Sequence, residues 1–498
     1  MKKNNQLTHK TLKGLIWSFI DLMANQGIQF IILIILARLL VPEHFGLLGM
    51  VMIFVALSQT LVDSGFSQAL IREEKVGQID YSTTFYVNLS LSLIIFLMIF
   101  NLAPLVSGFF NEPQLIEVLR VISLVVLFQA ISIVPRTILI RKVDFKTQTK
   151  VSITASISSG AIAISMALLG LGVWSLIFRI LIQKAVEAIL LLYINKWFPT
   201  FEFSVYSFKK FFTFSWKLLA SSLIDTSYRN IYYVIIGRMY TTGDLGYYTN
   251  AKQFRDAINQ GITRSIQRVT YPVLSSVQTE EAKLKYGFKK LIRITGYVSF
   301  PMMLGMAAIA QHLIVLLMGE HWEPAVVYFQ LLCVAAILYP MHAINLNILK
   351  VKGRSDLFLK IEILKKVITT IAIILAILGN IGVVGFILAA IVTTHLALFI
   401  NTYYSGKEID YGTNEQIRDL LPSYLLSFIM AGVIYLLGIF IPFHSMLVIT
   451  FQIFVGALIY VGISRLLNYK EFYEVVRMIK PYIYKLYSSL LKKKNYKH

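Results

Sequence analysis

Ala37-Arg38-Leu39-Leu40-Val41-Pro42-Glu43-His44-Phe45-Gly46-Leu47 returns, in outline, as Gly237-Arg238-Met239-Tyr240-Thr241-Thr242-Gly243-Asp244-Leu245-Gly246-Tyr247. Arg38 meets Arg238 and Gly46 meets Gly246 at one offset, and Trp17 answers Trp216 upstream. Farther on, Gly170-Leu171-Gly172-Val173-Trp174 answers Asn380-Ile381-Gly382-Val383-Val384, and Pro135 answers Pro340; the offset has drifted as loop insertions would make it. Self-similarity at a fixed spacing marks a duplicated architecture. In a membrane chain, two like halves are the usual plan of a transporter with its site between them. The pattern therefore points to moving a substrate rather than transforming one.

That the chain is a membrane protein follows from its composition. Its 498 residues are 57% hydrophobic, with a mean hydropathy of +0.68. Apolar runs near twenty residues recur, and a helix rising about 1.5 Å per residue crosses roughly 30 Å of hydrocarbon in that length. We read about fourteen such runs, the first at 14–36 and the last at 444–466, which makes an all-α integral membrane protein. The basic start, Lys2 to Lys13, leads into a full-length span with no small-residue cleavage site, so no cleaved signal peptide is expected.

A net charge of +21 could point to nucleic acid, but its placement excludes that. Lysine and arginine fall in alternate loops, notably 135–150, 350–366 and the tail from 465 onward. Arg38 and Arg238 are the clear exceptions on the other side. This positive-inside alternation puts both termini in the cytoplasm. Cys333 is the single cysteine, so neither an intrachain disulfide nor a multi-cysteine metal site can form.

The repeat sets the organisation: a first bundle of about six spans over 1–200, a second over 201–405, two further spans over 406–466, and a basic amphipathic tail over 467–498. An even number of spans per half makes the repeats parallel. The tail interleaves Tyr469, Phe472, Tyr473, Val476, Ile479, Tyr482, Ile483 and Leu486 with basic residues, and reads as an interfacial helix held by anionic lipid. Loops on both sides are short, which weighs against a polymerase, ligase or glycosyltransferase.

Ionisable groups inside spans are costly and mark cavities or partners. The span at 244–270 carries Asn250, Lys252, Gln253, Arg255, Asp256, Asn259, Gln260, Arg264 and Arg268 over a wide arc, with Tyr247, Ala251, Ile258, Ile262 and Val269 on the other. Lys252 and Arg255 lie roughly 12–17 Å in from its outer end, too deep for easy snorkelling. Asp225 and Arg229 form an i,i+4 pair, Asp21, Asn25 and Gln29 form one stripe, and Gln59 with Asp63, and Lys184 with Glu187, add further polar groups. The expectation is a central V-shaped cavity between the halves with a positive surplus, suited to a phosphate-bearing lipid. No Gly-x-x-x-x-Gly-Lys-Ser/Thr sequence is present, so no built-in ATPase is expected. Nor is a cofactor, and energy would come from H⁺ or Na⁺ coupling, the membrane potential or consumption of product.

The repeated segment 37–46, Asp63-Ser64-Gly65-Phe66-Ser67-Gln68-Ala69-Leu70-Ile71-Arg72 and Tyr81-Ser82-Thr83-Thr84-Phe85 resemble the Wzx-type polysaccharide flippases. The branch is that of the colanic-acid and teichuronic-acid exporters, within the multidrug/oligosaccharidyl-lipid/polysaccharide superfamily. The resemblance implies translocation of an undecaprenyl-pyrophosphate-linked repeat unit across the bacterial cytoplasmic membrane, for exopolysaccharide or O-antigen synthesis. It implies cationic cavity groups that meet the pyrophosphate, and depth and charge make Lys252, Arg255, Arg264 and Arg229 the candidates here. Asp21, Asn25, Gln29, Asp63, Asp225, Asp256 and Asn259 are the further cavity or ion-coupling candidates. Partners implied are the lipid-linked glycan, membrane lipid, and a polysaccharide polymerase and glycosyltransferases, with the chain itself a monomer. The alternatives are an ion-coupled multidrug antiporter of the same superfamily, which the positive surplus disfavours, and a polysaccharide polymerase or ligase.

Overall fold

The computed structural model describes residues 2–478 except 64, 442 and 443, together with residue 480; side chains at some positions, among them Arg264 and Arg268, lie outside that description. Among the described residues every regular element is helical. The chain divides into two units, Met1–Asn250 and Ala251–His498.

In the first unit the helices run α1 (Lys2–Leu39), α2 (Pro42–Asp63), α3 (Phe66–Arg72), α4 (Gln78–Phe110), α5 (Leu115–Ile122), α6 (Leu124–Arg141), α7 (Phe145–Leu168), α8 (Val173–Asn195) and α9 (Val205–Met239). The start of α10 (Thr242–Ser276) also lies in it. In the second unit follow α11 (Glu281–Ala308), α12 (Ala310–Met318), α13 (Ala325–Ala336), α14 (Tyr339–Val351), α15 (Ser355–Gly379), α16 (Gly382–Ile409), α17 (Thr413–Phe440) and α18 (Ser445–Leu466). Each apolar run read from the sequence coincides with one of these helices or with a broken pair such as α5–α6. Nine of the helical stretches are long and apolar enough to cross a membrane, by length and composition among the described residues. Helices such as α10, with its many charged and amide side chains, fall outside that set because polarity, not length, disqualifies them.

Local chemistry fixes the helix starts that matter here. Pro42 stands first in α2, where its missing N–H costs nothing, and Glu43 complements the helix dipole. For α10, Thr241 and Asp244 make a reciprocal cap: the Asp244 N–H donates to Thr241 Oγ1 at 3.1 Å and the Thr241 N–H donates to Asp244 Oδ2 at 3.3 Å.

These two corners then meet. A Cβ added at Gly46 would lie 1.9 Å from the Thr242 carbonyl oxygen, and one at Gly246 would lie 1.8 Å from the Pro42 carbonyl oxygen. The repeat partners thus cross reciprocally, each glycine seated on the backbone of the other repeat's helix start. Next along α2, a Cβ at Gly49 would lie 2.4 Å from Thr249 Oγ1. The crossing is flanked by Thr242, whose hydroxyl donates to the Glu112 carboxylate, and by Arg238, which donates to the Phe109 carbonyl at 2.6 Å. It stands at the end of the first unit away from the basic loop 135–150.

In the second unit, α17 packs along α11, and α18 packs on α17 and α12. Lys289 bridges Glu415 at 2.8 Å and Asp419 at 3.0 Å, tying α11 to the start of α17. Residues 470–478 continue as helix, and there buried Glu471 pairs with Arg293 of α11, while Glu474 lies 3.1 Å from Lys290. The first turns of the tail are therefore held against α11 by ion pairs. Tyr482, Ile483, Leu486 and the lysines at 492–494 lie outside the described residues.

Candidate functional site

The first unit contains a polar cavity of about 410 Å³. Helix α2 contributes Gln59, Thr60 and Asp63; α9 contributes Ser222, Thr226, Arg229 and Asn230. Gln68 of α3 and Gln129 of α6 complete the polar lining, while Ala56, Leu218 and Leu219 supply apolar wall. The two long helices are pinned beside it by a hydroxyl pair, Thr60 Oγ1 to Thr226 Oγ1, 3.1 Å apart. Asp63 Oδ1 accepts from Ser67 Oγ at 2.5 Å, and Arg229 Nε donates to Asp225 Oδ2 at 2.7 Å, so the expected i,i+4 pair is formed. Its guanidinium remains largely exposed, at 76% of the side chain. Gln129 Oε1 is buried and has no hydrogen-bond partner among the described residues. The cavity lies along the last turns of α2, so it sits on the basic-loop side of the glycine crossing.

The other sequence candidates are distributed as follows. Asn25 donates to Ser152 Oγ at 2.6 Å and accepts from Ser156 Oγ at 2.6 Å, and Gln29 accepts from Arg179. The α1 stripe thus faces α7 and α8 inside the first unit; one oxygen of Asp21 is buried there with no hydrogen-bond partner among the described residues. In the second unit Arg255 is 4% exposed. Its Nη2 lies 2.8 Å from Asp256 Oδ1 and its guanidinium stacks over Tyr339, 5.5 Å from the ring centre. Lys252 is half-buried, Asn259 is buried and accepts from Thr263 at 3.4 Å, and the Arg264 side chain lies outside the described residues.

Sequence reasoning missed Gln68, Gln129, Ser222, Thr226 and Asn230 of the lining. It also placed Arg136 in a basic loop. The structure has it inside α6, paired with Glu187 of α8, which is 7% exposed and lies 3.3 Å from Lys184. The apolar run that encloses Arg136, Ile131 to Ile140, was a signal for helix, but Pro135 just before it reads as a boundary, and the structure carries α6 through that proline.

A family profile described as polysaccharide biosynthesis protein matches residues 35–327, more than half of the chain. The chain is similar to the lipopolysaccharide biosynthesis protein WzxC of Escherichia coli K12, 26% identical over 79% of this chain and 81% of that one. It is similar to the teichuronic acid biosynthesis protein TuaB of Bacillus subtilis 168, 26% identical over 70% and 73%. Among solved structures it resembles the lipid II flippase MurJ in an inward closed conformation, with a TM-score of 0.74 at 16% identity, covering 92% of this chain and 98% of that one. It also resembles an inward-facing multidrug resistance transporter of the MATE family, with a TM-score of 0.59 at 15% identity over 79% and 98%. At these identities the structural likenesses establish the fold.

Proposed function

The chain belongs to the polysaccharide biosynthesis protein family, and from that premise we propose that it is a flippase, not a catalyst. It carries undecaprenyl-pyrophosphate-linked oligosaccharide repeat units from the inner to the outer face of a bacterial cytoplasmic membrane, by alternating access. The observation that carries this reading is the polar cavity on the basic-loop side of a backbone-tight crossing, in a helical chain with repeated halves. A closed outer end above a polar, inward-lying cavity is the arrangement that loads a head group from inside. The lipid tail stays in the bilayer while the head group crosses.

Arg229, at the cavity wall with an exposed guanidinium, is the cation we assign to the pyrophosphate, because its planar fork matches phosphate oxygens. Lys252 and Arg264 are the further cations of that role. Arg255, committed to Asp256 and Tyr339, acts by positioning α10. The positive surplus and the relatives named for polysaccharide synthesis favour this reading over the multidrug antiporter.

Deleting the gene is expected to accumulate lipid-linked saccharide on the inner leaflet, read by mass spectrometry of extracted lipids. Complementation with Arg229→Gln is expected to leave most of it there; wild-type lipid profiles in the deletion strain would end the reading. Both termini are assigned to the cytoplasm. Cysteine at Gly108 or Glu320 should then react with an impermeant thiol reagent from outside, and cysteine at Thr147 should not. Labelling at Thr147 would reverse the topology.

A further inference from the structure

We propose that the cavity of the first unit is a saccharide-reading subsite, in which carboxamides rather than cations select the cargo. This rests on the transport reading above and names what that site recognises. Four side-chain amides, Gln59, Gln68, Gln129 and Asn230, line the space together with Asp63. A phosphate offers only acceptors and calls for donors. A sugar hydroxyl both donates and accepts, and a primary amide answers it with two donors and two lone-pair positions, as a carboxylate answers two hydroxyls at once.

The charge of the lining makes the same choice. Among the described residues the lining holds one cation, Arg229, which already lies against Asp225, and one carboxylate, Asp63. A doubly charged pyrophosphate placed among the amides would bring a charge that the lining leaves largely uncompensated. Arg229 at the wall instead marks where the phosphate end joins the sugar end.

Gln129 supplies an independent sign. Its Oε1 is buried with no partner among the described residues, and a buried acceptor left unmade costs free energy. The residue also lines the cavity, and turning its amide toward that space would let a ligand hydroxyl satisfy the oxygen. Ala56, Leu218 and Leu219 offer the apolar surface that the C–H face of a sugar ring covers. The volume, about 410 Å³, lies within the range of small-molecule sites and suits a short saccharide rather than a polymer.

The test uses the full chain in lipid nanodiscs and isothermal titration calorimetry. One probe is the saccharide released by mild acid from the lipid-linked glycan of the deletion strain; the other is inorganic pyrophosphate. Gln129→Met and Gln59→Met keep the side-chain shape and remove the amide. Each is expected to weaken saccharide binding about tenfold, the loss of roughly one hydrogen bond, and to leave pyrophosphate binding unchanged. Arg229→Gln is expected to do the reverse. Saccharide binding unaltered by both methionine variants overturns the proposal, as does an equal loss of both probes. A deletion strain that accumulates no lipid-linked glycan removes the transport reading instead. A glycan array then serves as the probe: saccharide binding lost in Gln129→Met keeps the subsite, and no saccharide binding by the wild type ends it.

Discussion

Leucine at Gly46 or at Gly246 should all but abolish export while the chain still inserts and folds. The reason is backbone geometry. At each glycine the atom a side chain would strike is a carbonyl oxygen of the opposing helix start, within 2 Å of the would-be Cβ, 1.9 Å and 1.8 Å. No rotamer change relieves such a contact, so the starts of α2 and α10 must part. Overpacking of this kind costs about 1–3 kcal/mol, which lowers the ratio of closed to open crossing by a factor of roughly 5 to 150. A flippase that cannot close outside cannot hold the state that loads from inside. The converse perturbation is a lock. Cysteines at Gly49 and Thr249, with Cys333 replaced by alanine, stand close enough to oxidise, since a Cβ at Gly49 lies 2.4 Å from Thr249 Oγ1. Oxidation should stop export and reductant should restore it. Continued export by the cross-linked protein would remove the crossing from the transport cycle.

The crossing also shows which part of this molecule was legible in its sequence. Gly46 and Gly246 stood out because duplication printed the same residue twice, and the structure pairs them reciprocally. The Asp225–Arg229 pair was legible because four residues is one helical turn. Gln129 was not, because a lone amide in an apolar run has no period, and only the rotation of α6 against α2 and α9 brings it to the cavity. Arg255 illustrates a different limit. Depth and charge marked it out in the sequence, and it is buried in the structure, but the polar arc of α10 is too wide to fix which neighbour it faces. The packing of α14 decides that, by setting Tyr339 under the guanidinium. Arg136 was misplaced because a basic residue near a basic loop reads as part of it, whereas its partner Glu187 lies some fifty residues away on α8.

That last pair carries the second large effect. Glu187 is 7% exposed and is the carboxylate that answers two cations, Arg136 and Lys184, with Arg179 farther along the same helix. Glu187→Leu leaves Lys184 without its carboxylate and Arg136 with only the charges of Asp21 and Asp63 to answer it, and breaking a buried pair from one side costs about 3–5 kcal/mol. We expect the lower end of that range, because Arg136 keeps 35% of its side-chain exposure. Arg136→Leu should cost less, since Lys184 stays beside Glu187 to balance it. The double variant Arg136→Leu/Glu187→Leu should be more stable than Glu187→Leu alone, because one of the stranded charges has gone. Thermal unfolding of the detergent-solubilised chain, followed by the loss of monodisperse protein, ranks the three. If Glu187→Leu unfolds with the wild type, or if the double variant is the least stable, the pair is not holding α6 to α8. The polar groups between those helices would then serve the cargo rather than the fold.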